Sequence, residues 1–125
     1  GAVLVYVYRP AQIETLLKNR DVLQFLQSEG YRPGTADELL AQLSQRLCCE
    51  GEFPHEVGIF LGYPLADVVG FIQNRGQNFT ACGHWKVYTD PAAAQQQFAR
   101  YKKCETIYTR CYQSGTPIRR LTVAA

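Results

Sequence analysis

The chain has 125 residues and a formal charge of +2, with 46 % apolar and 19 % charged residues. That length supports a hydrophobic core without disulfide staples, and that composition argues against disorder. No apolar run approaches the ~20 residues that a membrane helix needs, and Gly1 to Tyr6 has neither a basic n-region nor a cleavage-type site, so neither a membrane span nor a secretion signal is read.

Residues 2–8 (AVLVYVY) are apolar without a break, which predicts a strand buried on both faces. Pro10 opens a short helix with Ile13, Leu16 and Leu17 on one face. Asp21 is the expected N-cap of a second helix, with Val22, Phe25 and Leu26 inward and Gly30 as its stop. After the turn at Tyr31 to Gly34, Thr35 and Glu38 have capping-box spacing. Leu39, Leu40, Leu43 and Leu47 give that third helix its apolar stripe.

Val57 to Leu61 (VGIFL) is expected to be the second core strand, and Gly62-Tyr63-Pro64 turns the chain into a helix with Leu65, Val68, Val69 and Ile72 inward. His84 to Tyr88 (HWKVY) reads as a third strand. Asp90 caps the last and longest helix, with Pro91 at its first position and Phe98, Tyr101, Cys104, Tyr108 and Cys111 at helical spacing up to Gly115. Ile118 to Val123 is expected as a short closing strand. This order predicts an α/β fold: one domain over residues 1–125, with a small, partly parallel sheet of three to four strands covered by about five helices.

The most distinctive segment runs from Phe53 to Pro64. Ligands in open α/β sheets sit beyond the carboxyl ends of strands, so the strand–Gly62-Tyr63-Pro64–helix corner is the expected ligand site. Gly58 and Gly62 are expected to let another group approach the backbone. Gly62, Tyr63, His84, Trp85 and Lys86 are the candidate ligand-binding residues. Aromatic faces suit a planar ligand and a lysine suits an anionic one.

Other chemistries find less support. His55-Glu56 lacks the second histidine of a zinc protease, since Ile59 stands there, and adjacent strand residues would point to opposite faces. Cys82 and His84 could form a thiolate pair, but no CxxC motif accompanies them and no metal set is read. With five cysteines and no secretion signal, free thiols are expected. Residues 1–63 hold five Lys/Arg against eight Asp/Glu, and residues 64–125 hold eight against three. This asymmetry suits solvated faces, an anionic ligand, or attraction between subunits. Basic residues among tyrosines on the last helix are read as a solvated face rather than a nucleic-acid surface.

Several stretches together carry a resemblance: FPHEVGIFLGYPLADVVGFIQNRGQN, CGHWKVYTD, FARYKKC and IRRLTVA. They resemble a bacterial domain-of-unknown-function family, number 3793, whose hallmark is close to FPHEIGLFLGYP followed by GxWKVY. The resemblance implies a cytoplasmic bacterial protein and supplies no reaction. Members usually carry an N-terminal segment with a Cys-x-Pro-Thr-Leu-Ala-Gly-like start. Nothing here matches it, so a shortened member or a fragment is expected.

The first functional expectation is a non-catalytic module binding a small anionic or planar ligand at the Gly62 corner. The second is a protein-interaction or regulatory domain, including association with a second copy. The weakest is an enzyme using Cys82 and His84. No cofactor is specified, no membrane partner is expected, and nucleic acid is disfavoured.

Overall fold

A computed structural model describes residues 1–49 and 51–122. The chain divides into two compact units, one from Tyr8 to Gln77, the other joining Gly1–Val7 to Asn78–Ala125.

Among its described residues, the regular elements of the Tyr8–Gln77 unit are all helices. Helix α1 (Pro10–Leu17) starts on a proline and buries Ile13. Helix α2 (Arg20–Ser28) is capped by Asn19, two residues before the expected cap, Asp21. The Asn19 side chain accepts from the N–H groups of Asp21, at 3.0 Å, and Val22, at 3.3 Å. Asp21 instead sits in the first turn, where its charge complements the helix dipole. Gly30, at φ +96°, ends the helix as expected: its N–H donates to the Gln27 carbonyl and the Tyr31 N–H to the Leu26 carbonyl, satisfying two orphan acceptors. Helix α3 (Ala36–Cys48) is capped by Thr35, whose hydroxyl accepts from Glu38 N–H, and it buries Leu39 and Leu43.

The expected second core strand is a helix. Val57–Phe60 forms the single turn α4, entered through a turn in which Val57 N–H donates to the Pro54 carbonyl and Gly58 N–H to the His55 carbonyl. Glu56, Ile59 and Phe60 are the buried side chains, which is the i, i+3, i+4 spacing of a helical face. One of the three is a carboxylate, so hydropathy alone hides the period. Ile59 is fully buried as expected, but Val57 is only half-buried and Leu61 is 45 % exposed. Helix α5 (Leu65–Asn74) follows Pro64 and buries Asp67, Val68 and Gly70. Leu65, Val69 and Ile72, expected inward, are half-buried.

In the other unit, residues 2–8 were expected as a buried strand, but 2–7 carry no regular secondary structure. Val3, Leu4, Val5 and Val7 are exposed, Val5 at 77 %. The composition suits a strand, but a strand needs a ladder, and among the described residues the only ladder is elsewhere. It joins β1 (Ala81–Cys82) to β2 (Lys86–Val87) antiparallel, Ala81 opposite Val87 and Cys82 opposite Lys86. The expected third strand is thus half of a short hairpin. Helix α6 (Pro91–Gln113) starts as read: the Asp90 carboxylate accepts from Ala93 N–H, and Pro91 is the first residue. It buries Ala94 and Phe98, Phe98 against the hairpin's Trp85. Beyond Tyr101 the stripe is uncovered: Cys104 and Tyr108 are exposed and Cys111 is half-buried. The expected closing strand is the helical turn α7 (Ile118–Leu121), with Val123 outside the described residues.

The α/β expectation is therefore corrected to a mostly helical fold of seven helices and one two-stranded antiparallel sheet among the described residues. Short apolar runs do not distinguish strands from buried helical turns by periodicity, and Val57–Leu61 and Ile118–Val123 are both of that kind.

Candidate functional site

The Phe53–Pro64 segment is anchored by a buried carboxylate. Glu56 is 3 % exposed, and its Oε1 accepts from the Tyr31 hydroxyl at 3.0 Å and from Arg46 Nη1 at 3.3 Å. The Arg46 guanidinium also lies over the Tyr31 ring, 4.3 Å from its centroid, and that ring packs against Phe60 at 6.0 Å. Burial, reinforced by the charge and hydrogen bond of Glu56, pushes the Tyr31 hydroxyl well above its ordinary titration range. The hydroxyl is therefore a fixed donor at neutral pH. One carboxylate thus joins the loop after α2, the end of α3 and the start of α4.

That anchor leaves His55 on the outside. Its ring lies 5.9 Å from Phe53 and 5.0 Å from Phe71 of α5. Two adjoining hollows open around it and share Glu52, His55 and Ile72. One, of about 350 Å³, reaches toward Glu29, Arg46 and Cys49. The other, of about 420 Å³, is completed by Phe71 and Arg75. Arg75 occupies the left-handed region at φ +51° where α5 ends. A third hollow beside α1, near Gln12 and Thr15, has no charged lining. The hollows at His55 add charged groups and an imidazole to an apolar floor, which the one at α1 lacks.

The five residues singled out in the sequence fall into two sets. Gly62 and Tyr63 follow α4 in the helical unit; His84, Trp85 and Lys86 lie on the hairpin of the other. Gly62 is at φ +83° with nothing within 4 Å of where a Cβ would stand, so backbone conformation requires the glycine and not a close approach. Gly58 makes the close approach: a Cβ there would come within 2.9 Å of Val68 Cγ2 and 3.0 Å of Tyr63 Cδ2. The Tyr63 ring lies over Gly58, and its N–H donates to the Gly58 carbonyl at 2.9 Å.

On the hairpin, Trp85 is buried edge-on against Phe98 at 4.6 Å, making it a core residue. His84 is exposed beside Phe98 and Tyr101, at 5.6 and 5.3 Å. Among the described residues it makes no hydrogen bond to Cys82. A Cβ at Gly83 would run into the Phe98 ring, so the glycine lets the hairpin close on α6. The Lys86 ammonium lies 4.9 Å from the centroid of Phe79.

A family model for proteins of unknown function, DUF3793, matches residues 1–122. The chain belongs to that family. No curated protein and no solved structure matches this DUF3793 chain. No helix of its described residues is long and apolar enough to cross a membrane. All five of its cysteines are free, four of them exposed. No three His, Cys, Asp or Glu side chains among the described residues converge as a metal set.

Sequence reading missed Tyr31, Arg46, Glu52, Phe71 and Arg75. Arg46 had a usable signal: it follows Leu43 by three positions, so it borders the buried stripe of α3. Glu56 stands three and four positions before Ile59 and Phe60. Two opposite charges on two inward faces are the mark of a buried pair. Glu52, Phe71 and Arg75 had no such signal, because the hollow they line depends on tertiary packing.

Proposed function

We propose that this protein is a non-catalytic module that binds a small ligand in the paired hollows around His55. The observation behind this reading is the joining of two ligand-sized hollows through Glu52, His55 and Ile72, with Phe53 and Phe71 beside the imidazole. The segment is held from behind by Glu56, so the site is organised without a ligand. Preorganisation of this kind lowers the entropy cost of binding.

The Gly62–Tyr63 corner and the His84–Lys86 hairpin are the alternative locations. Tyr63 is engaged with Gly58 and Trp85 with Phe98, which favours the His55 hollows. A thermal-shift screen of amino acids, nucleotides and planar anions tests the reading. A hit should lose affinity in Arg75→Gln and keep it in Lys86→Ala. The reverse pattern would move the site to the hairpin.

A second reading, a protein-interaction module, draws on exposed apolar side chains. Ile107, Tyr108 and Tyr112 project from the far end of α6, with Tyr112 57 % exposed. Sedimentation with and without Tyr112→Ser separates self-association from a monomeric binding module.

A further inference from the structure

Resting on the reading of the His55 hollows as a ligand site, we infer that the ligand is a free α-amino acid with an aromatic or branched aliphatic side chain. The argument lies in the charges of the hollow of about 420 Å³. It is lined by one carboxylate, Glu52, and one guanidinium, Arg75, with His55, Phe71 and Ile72 between. Both side chains are exposed, so pairing them directly would gain little and each is open to a ligand. Among the described residues, the exposed side chains of Glu52 and Arg75 form no ion pair or hydrogen bond with each other or with any third group. In the adjoining hollow, Arg46 and Glu56 satisfy one another at 3.3 Å, and Glu29 adds a further carboxylate.

A simple anion drawn to Arg75 meets the field of Glu52, and a simple cation drawn to Glu52 meets that of Arg75. A molecule carrying both an ammonium and a carboxylate answers both, with the ammonium donating to Glu52 and the carboxylate accepting from Arg75. Each contact is a charge-assisted hydrogen bond, and the guanidinium can hold a carboxylate through two parallel bonds. The faces of Phe71 and Ile72 leave the third substituent of the α-carbon an apolar surface. His55 stands at the edge shared by both hollows, where a long side chain would pass from one to the other.

The test is isothermal titration of the full chain with four probes. These are L-phenylalanine, L-leucine, N-acetyl-L-phenylalanine, which lacks the ammonium, and L-phenylalaninamide, which lacks the carboxylate. The free amino acids should bind, and each blocked probe should bind at least about tenfold more weakly, as expected for loss of one charge-assisted bond. Glu52→Gln should abolish the discrimination against the acetylated probe alone. Arg75→Gln should abolish the discrimination against the amide alone, with circular dichroism confirming that both variants fold.

Equal affinity for free and blocked probes, or no binding by any of the four, would overturn the amino-acid inference. The wider reading fails separately, when hits from the thermal-shift screen keep their affinity in both Glu52→Gln and Arg75→Gln. Hits weakened by Arg75→Gln alone, with no discrimination among the four probes, would leave the hollow as a site for a simple anion and sink the zwitterion.

Discussion

Replacing Tyr31 by Phe removes one oxygen and leaves the ring in place. The ring keeps its contact with Phe60 and its place beneath Arg46, so the change isolates the 3.0 Å hydrogen bond to Glu56. The acceptor is a buried carboxylate, and hydrogen bonds to charged groups contribute about 1.5–3 kcal/mol each. The upper half of that range is expected, because Glu56 then keeps only Arg46 as a side-chain partner among the described residues and cannot turn to water at 3 % exposure. Urea denaturation at pH 7 measures the loss, with Tyr112→Phe on the exposed end of α6 as a control expected within about 0.5 kcal/mol of wild type. A loss below about 0.5 kcal/mol in Tyr31→Phe would show that the hydroxyl does not hold Glu56, and the claim that this carboxylate fixes the segment would fall with it.

The same hydroxyl gives a pH signature. Its folded-state titration lies above the ordinary value of 10.0, so the folded chain holds a proton that the unfolded chain releases, and stability should decline as pH rises past about 10. Tyr31→Phe should lessen that decline in alkaline denaturation curves; an unchanged slope would contradict the hydrogen-bonded placement. Ile59→Ala should cost about 2–5 kcal/mol through lost burial and the cavity left, whereas Val5→Ala should stay within about 0.5 kcal/mol. Comparable losses at both positions would restore the two-strand core. Gly62→Ala should cost about 1–2 kcal/mol, from the left-handed backbone alone. Gly83→Ala should cost about 1–3 kcal/mol by forcing Phe98 aside, and its near-ultraviolet circular dichroism should change because Trp85 rests on that ring.

What was legible in the sequence was mostly local. Pro10, Thr35 and Asp90 mark helix starts, and Gly30 and Gly115 mark helix ends, because caps and turns are decided by a few neighbouring residues. The sheet was not legible. Residues 2–8 have strand composition, but whether a strand forms depends on a partner that the segment itself does not encode. At Val57–Phe60 the deciding feature is Glu56, whose burial makes sense only with Tyr31 and Arg46, 25 and 10 positions away. The Phe53–Pro64 segment is not the strand-to-helix corner that its residues suggest. It carries a buried carboxylate paired with the half-exposed Arg46 of α3, and a tyrosine packed on a glycine, rather than a strand ending at a ligand crevice. Arg75 shows the limit most plainly: its place at the end of α5 is local, but only tertiary packing brings it to the hollow beside Glu52.

The chain contains two histidines, His55 beside the hollows and His84 on the hairpin. Their imidazole proton resonances, assigned with a His84→Asn variant, therefore report separately on the two candidate regions. Titrating the protein with L-phenylalanine, and then with any hit from the thermal-shift screen, should shift the His55 signals and leave those of His84 in place. Movement of His84 with His55 unchanged would contradict the account and return the ligand site to the hairpin.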